Sequence, residues 1–143
     1  MSTPCLRLEK IWEDEFCFEL NLSVKSSYCH SNLNFYTTYE QIDEFKQGLL
    51  KISTFEQKEY VWISGEDVDN VTHYVYIRVF LYNKKGHVGI EILLDNKLTI
   101  PDKMRSLSFL LTEMNQIDDF IYQLTGLIKE ERILVEGIIP YDY

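Results

Sequence analysis

The pentapeptide QIDEF at 41–45 returns as QIDDF at 116–120, seventy-five residues further along the chain. Around the first copy, Ile42, Phe45 and Leu49 recur at i, i+3 and i+7, the spacing that places side chains on one face of a helix. Around the second, Ile117, Phe120, Leu124 and Ile128 do the same. Two helices with apolar stripes each need an apolar surface to lie on. The rest of the sequence offers one, because it alternates with a period of two.

In FCFELNLSV (16–24), Phe16, Phe18, Leu20, Leu22 and Val24 point one way and the polar residues the other, the pattern of a half-buried strand. NLNFYTT (32–38) reads as a second strand, and residues 5–12 as a further candidate. EYVWISG (59–65) and THYVYIRVFLY (72–82) follow. NKKG (83–86) is a turn of hairpin length leading into HVGIEILL (87–94). SLSFLLTE (106–113) precedes the second helix, and ERILVEGII reads as a last strand. Thr38 and Gln41 fit a capping box for the first helix. Asn115 is the expected N-cap of the second, with Asp118 in its first turn, where the helix dipole favours an anion.

Leu33 and Phe35 lie ahead of the first helix as Leu107 and Phe109 lie ahead of the second, once one inserted residue is allowed. Segments 16–52 and 88–128 are therefore a candidate pseudo-repeat of strand, strand and helix. Chance likeness between two amphipathic helices is the alternative. One such unit cannot cover both its sheet and its helix stripe alone, whereas two packed together can. The expected fold class is α+β: an antiparallel, strongly curved sheet of about six to eight strands with two main helices, around 39–51 and 115–129, in a single domain spanning 1–143.

Chemistry-bearing motifs are sparse. Six scattered glycines form no phosphate loop, and no HExxH or clustered His/Cys set occurs. Cys5, Cys17 and Cys29 are odd in number and form no CxxC, which suits reduced thiols. Cys29 with His30 as metal ligands, Cys29 with His73 or His87 as a nucleophile pair, and Asp43 with Asp118 as catalytic carboxylates all lack a supporting motif. No catalytic, metal or cofactor site is expected. The net charge of −9 disfavours a nucleic-acid partner and favours a basic protein one. The start, MSTPCLRLEKIWEDEF, lacks the basic head and apolar core of a signal peptide, and no apolar run approaches the ~20 residues of a membrane helix. A cytoplasmic protein without a membrane partner is expected.

The aromatic content points to where a partner would sit. With Val75, Ile77, Val79 and Leu81 turned to the helices, Tyr74, Tyr76, Phe80 and Tyr82 line the other face with Arg78. Tyrosine and arginine are enriched at protein interfaces. Glu66, Asp67 and Asp69, in the loop before this strand, add acid. The candidate partner-binding residues are Glu66, Asp67, Asp69, Tyr74, Tyr76, Arg78 and Tyr82.

The order FELNLSV…LNFYTT, EQIDEFKQGLL, YVYIRVFLYNKKGHVGIEILL and LSFLLTEMNQIDDFIYQLTGLI resembles the WapI-type immunity proteins of bacterial polymorphic toxin systems, over about residues 16–130. The resemblance implies a non-catalytic protein that binds and neutralises a cognate toxin domain. It carries over no individual functional residue. A small-ligand-binding module, a structural or regulatory subunit of a larger assembly, and an enzyme with an unrecognised site are the alternatives, and the oligomeric state is left open.

Overall fold

The computed structural model describes residues 3–141. Among these residues the order is β1 (Leu6–Glu13), β2 (Phe18–Lys25), β3 (His30–Thr37), α1 (Tyr39–Ser53), β4 (Glu59–Gly65), β5 (Tyr74–Leu81), β6 (His87–Asp95), β7 (Arg105–Glu113), α2 (Met114–Ile128) and β8 (Leu134–Gly137). The order β-β-β-α-β thus occurs twice. The strands form two antiparallel sheets, not the single strongly curved one expected. Sheet I runs β3-β2-β1-β8 and sheet II runs β4-β5-β6-β7. The reason lies in the chain path. The strand that follows each helix crosses over: β4 pairs with β5 of the second half, and β8 with β1 of the first. Exchanging the two halves maps the topology onto itself.

The registers allow a residue-by-residue comparison of the two sheets. The offset of seventy-five residues between the pentapeptides also relates Ser31 to Ser106 and Thr37 to Thr112 without any gap. The related serines bond to one another, Ser106 Oγ to Ser31 Oγ at 2.9 Å. The inserted residue expected from Leu33 and Phe35 is therefore wrong. Those two side chains are buried, whereas Leu107 and Phe109 are 52% and 60% exposed on the opposite face of their sheet. In β7 the inward positions are Ser106, Ser108, Leu110 and Thr112.

One contiguous set of buried side chains joins both sheets and both helices, from Leu20, Leu22 and Phe35 through Phe45 and Phe120 to Ile77, Ile92 and Val135. Phe45 packs against Phe120, ring centroids 6.5 Å apart, and against Trp62 at 5.0 Å. The two pentapeptides thus place matched phenylalanines against each other. Trp62 also donates its indole N–H to the Gln41 carbonyl at 3.1 Å, and so fixes β4 to the start of α1.

The helix ends depart from expectation in part. Thr38 caps α1, accepting the Gln41 amide at 3.2 Å, but the Gln41 side chain takes the Thr37 hydroxyl and does not reach back to the cap. α2 begins at Met114 behind Glu113, which makes no side-chain cap, so Asn115 and Asp118 lie inside the helix and its first turn carries no acid. Phe16, expected on a strand, precedes β2 in a turn held by Asp14, and its ring is exposed.

A candidate protein-binding face

The outward side chains of sheet II fall into rows set by its register. One row across the four strands reads Ile63, Tyr76, Leu93, Leu107; the next reads Val61, Arg78, Glu91, Phe109. The same rows of sheet I, found through the paired positions of β8, β1, β2 and β3, read Glu136, Arg7, Ser23, Asn32 and Leu134, Glu9, Asn21, Asn34. In these two rows sheet I turns a largely polar, hydrogen-bonded surface to water; its next row exposes Trp12 and Tyr36, ring centroids 6.0 Å apart. Asn21 donates to Asn34 at 2.8 Å, and Ser23 lies 3.3 Å from His30. Sheet II turns out a run of apolar side chains, with Ile63 51% exposed opposite Leu107 and Phe109. Contiguous exposed apolar surface of this kind marks interaction sites on soluble proteins.

A polar centre is set into that apolar surface. Arg78 Nε donates to Glu91 at 2.7 Å and Nη1 to Glu59 at 2.8 Å, and its guanidinium stacks on the Phe80 ring at 4.2 Å. The Phe80 ring lies over Gly89, where any Cβ would collide with it. Arginine held flat by an aromatic ring and two carboxylates is preorganised, which limits the entropy lost on binding.

Of the residues expected to bind a partner, Tyr74, Tyr76 and Arg78 stand on this face. Tyr82 lies past the end of β5, exposed, and lines a groove beside the face. Glu66 and Asp69 are exposed in the β4–β5 loop. Asp67 is not a free acid. Arg105 donates to both of its carboxylate oxygens, at 2.9 and 3.0 Å, and Lys97 donates at 2.7 Å. The Arg105 and then the Lys97 hydrogen bonds hold the Asp67 carboxyl well below the usual carboxylate range. Arg105 also donates to Asp95 at 2.8 Å, which is 1% exposed. Burial works against the Asp95 charge, but the Lys97 backbone N–H and the Arg105 guanidinium outweigh it and lower its pKa. This cluster ties the β4–β5 loop to the β6–β7 loop at one end of the face.

Sequence reasoning missed Val61, Ile63, Leu93, Leu107 and Phe109. Strand parity was the available signal, because SLSFLLTE carries apolar residues on both faces. Only the position of the serines and threonine shows which face is turned in.

Other chemistry-bearing groups are engaged in structure. Ser64 Oγ lies 2.8 Å from His73 Nε2, a spacing that suits a nucleophile and its base. Ser64 is buried, however, the other His73 nitrogen faces Thr72, and the ring packs on Phe35 at 5.2 Å. Burial lowers the His73 pKa, which favours the neutral ring. His87 lies 2.6 Å from the Asn83 amide and stacks on Tyr141 at 4.1 Å. His30 bonds Ser23, and Cys29 lies 4.0 Å from Ser31. Asp43 is within 3.7 Å of Lys46, and Asp118 is exposed. Among the described residues no group of three or more His, Cys, Asp or Glu could hold a metal ion. No helix is long and apolar enough to cross a membrane.

A groove of about 890 Å³ borders the face. Phe80, Gly89, Phe109 and Leu111 form its sheet II side, and Ser26 to Tyr28, in the β2–β3 turn, form the other wall. The apolar face and the groove are thus one continuous surface. No protein-family model, curated protein or solved structure matches the chain.

Proposed function

We propose that this protein is a non-catalytic protein-binding module whose working surface is the outer face of sheet II. The observation that supports this reading is the contrast between equivalent rows, Ile63, Tyr76, Leu93, Leu107 against Glu136, Arg7, Ser23, Asn32. Fold stability does not require apolar side chains at these positions, because the same topology accommodates charged and amide groups there in sheet I.

In line with the resemblance to WapI-type immunity proteins, the partner is a toxin domain. The module neutralises it in the bacterial cytoplasm by covering its active surface. A net charge of −9 steers a basic domain towards the module, and apolar contact with the aromatic face then holds it. Nucleic acid is not the partner.

Co-expression with the toxin domain encoded by the neighbouring gene tests this. Rescue of growth and co-purification are expected. Ile63→Asp with Leu107→Asp abolishes both while leaving the melting temperature close to wild type. Absence of rescue and of a complex with the wild-type chain overturns the reading.

A further inference from the structure

The direction of the β7 amides follows from two hydrogen bonds. Met114 N–H donates to the Gly86 carbonyl at 3.0 Å, and the register pairs Val88 with Thr112 and Ile90 with Leu110. In an antiparallel ladder the residues that exchange hydrogen bonds alternate with those that turn their amides away. The even-numbered residues of β7 therefore bond to β6, and Leu107, Phe109 and Leu111 turn their N–H and C=O outward. Leu111 confirms the parity, since its carbonyl accepts the Tyr141 N–H at 2.7 Å from the side opposite β6. Among the described residues nothing bonds the outward amides of Leu107 and Phe109. The 890 Å³ groove takes in the Phe109 end of this stretch, bounded by Phe109, Leu110 and Leu111 on one side and by the β2–β3 turn on the other.

Elsewhere the fold closes an edge with care. The corresponding analysis of β8 turns the Glu136 amides outward, and Gln123 meets both: Nε2 donates to the Glu136 carbonyl and Oε1 accepts its N–H, each at 2.8 Å. A side-chain amide thus stands in for a neighbouring strand there. Exposed apolar edges are normally blunted in this way, because they recruit other strands.

We propose that the β7 groove binds an extended segment of a partner protein, which adds to sheet II as a fifth strand beside Leu107 and Phe109. The proposal deepens the protein-binding reading by naming what the partner presents. The occupant is a single extended strand, which a groove bounded by β7 on one side and Ser26 to Tyr28 on the other suits better than the edge of a second folded sheet. Tyr141, already bonded to Leu111, marks one end of the track. Five residues, Leu107 to Leu111, offer a run of about 17 Å. Alternate side chains of the bound segment lie beside Leu107 and Phe109 on the apolar face, so they are apolar. Lys25 is the only lysine or arginine lining the groove, and no carboxylate lines it among the described residues, although the chain carries −9 overall. The segment is therefore neutral to acidic, with an acid near Lys25. Main-chain bonds give such a complex its affinity and alternate side chains its specificity.

The first test uses the free protein. Amide exchange followed by NMR should be fast at Leu107 and Phe109 and slow at Ser108 and Leu110. Protection at Leu107 and Phe109 would overturn the proposal. The second test selects displayed linear peptides of about seven residues on the full chain, with binding of the synthetic winners measured by calorimetry. Winners with alternating apolar residues are expected, and N-methylation of every other backbone amide should abolish their binding while methylation of the intervening amides is tolerated. Phe109→Pro removes an outward N–H together with the ring, and should weaken binding about tenfold or more beyond Phe109→Ala, which removes the ring alone; Lys25→Glu should weaken acidic winners selectively. Because methylation alters the peptide and not the protein, a poorly folded variant cannot mask the result. Absence of winners, or winners indifferent to methylation, would overturn the groove proposal. Ile63→Asp on the far side of the face should leave peptide binding intact, so a protein that binds its toxin but no peptide loses this proposal alone.

Discussion

The outer faces of the two sheets occupy corresponding places in the fold and differ in almost every residue. Where sheet I has Asn32 and Asn34, sheet II has Leu107 and Phe109; where sheet I has Arg7 and Ser23, sheet II has Tyr76 and Leu93. The inner faces do not differ this way. Leu22 and Ile92 correspond, as do Val24 and Leu94, and all four are buried. The inward positions must satisfy a shared core, so most keep their character, Ser108 in the place of Leu33 being an exception. The outward positions are free of that demand, and the apolar character of one set needs a cause outside the fold. The edges repeat the contrast. Gln123 closes the β8 edge at Glu136, while Gly48 holds the equivalent place in α1, under the Tyr60 ring, and offers no amide to Ile63.

The comparison can be strained most severely at the end of sheet II where the faces diverge in charge. Asp95 and Arg105 face each other there, at the places that Lys25 and His30 take in sheet I. Arg105→Met leaves the buried Asp95 carboxylate with Lys97 alone, at 3.6 Å. A loss of about 3 kcal/mol is expected at pH 7 by urea unfolding, the scale for breaking a buried pair. The sign with pH follows from the lowered pKa of Asp95: its stabilising contribution is complete above about pH 4 and is lost as pH falls through the folded-state value. The offset between wild type and Arg105→Met should therefore shrink as pH falls, without vanishing while Asp67, which Arg105 also holds ionised, keeps its charge. Equal offsets at pH 7 and at low pH would remove the ionic part of this account.

A smaller effect is expected at the closed edge of sheet I. Gln123→Ala leaves the Glu136 N–H and C=O without partners and should cost about 1–3 kcal/mol. Faster amide exchange at Glu136 locates the change. A melting temperature and an exchange rate unaltered by the substitution would show that the edge is closed by something else.

The smallest effect is predicted for carrying sheet I residues onto sheet II. Leu107→Asn and Phe109→Asn should each change stability by no more than about 0.5 kcal/mol, as for most exposed sites. Solubility should rise. A large loss of stability would mean that these side chains belong to the fold, and the functional reading of the face would lose its ground.

Much of this architecture was legible in the chain. The periods in EQIDEFKQGLL and VYIRVFLY gave helix and strand correctly, because each has one buried face. The pairing of β5 with β6 was legible from the NKKG hairpin turn, but most other strand partners were not, because alternation shows that a strand is half-buried and not which strand it bonds. The crossing of β8 back to β1, and hence two sheets in place of one, depends on contacts between residues more than 120 positions apart. The candidate site was read in half. Tyr74, Tyr76 and Arg78 declared themselves by type and parity. Leu107 and Phe109 did not, because leucine and phenylalanine on a strand are ordinarily turned inward, and the alignment with Leu33 and Phe35 reinforced that error. The ion pairing of Asp67 was not legible either, since its partners Lys97 and Arg105 come from the distant β6–β7 loop and the start of β7.

The account rests on the outer face of sheet II being apolar in order to bind protein. The direct measurement is the affinity of the proposed partner, a toxin domain, by calorimetry, for two double variants. Leu107→Asn with Phe109→Asn should bind roughly 30-fold or more weakly, the loss of at least one interface hot spot, while Asn32→Asp with Asn34→Asp at the equivalent places of sheet I should bind as wild type does. Equal affinities for the two variants would contradict it.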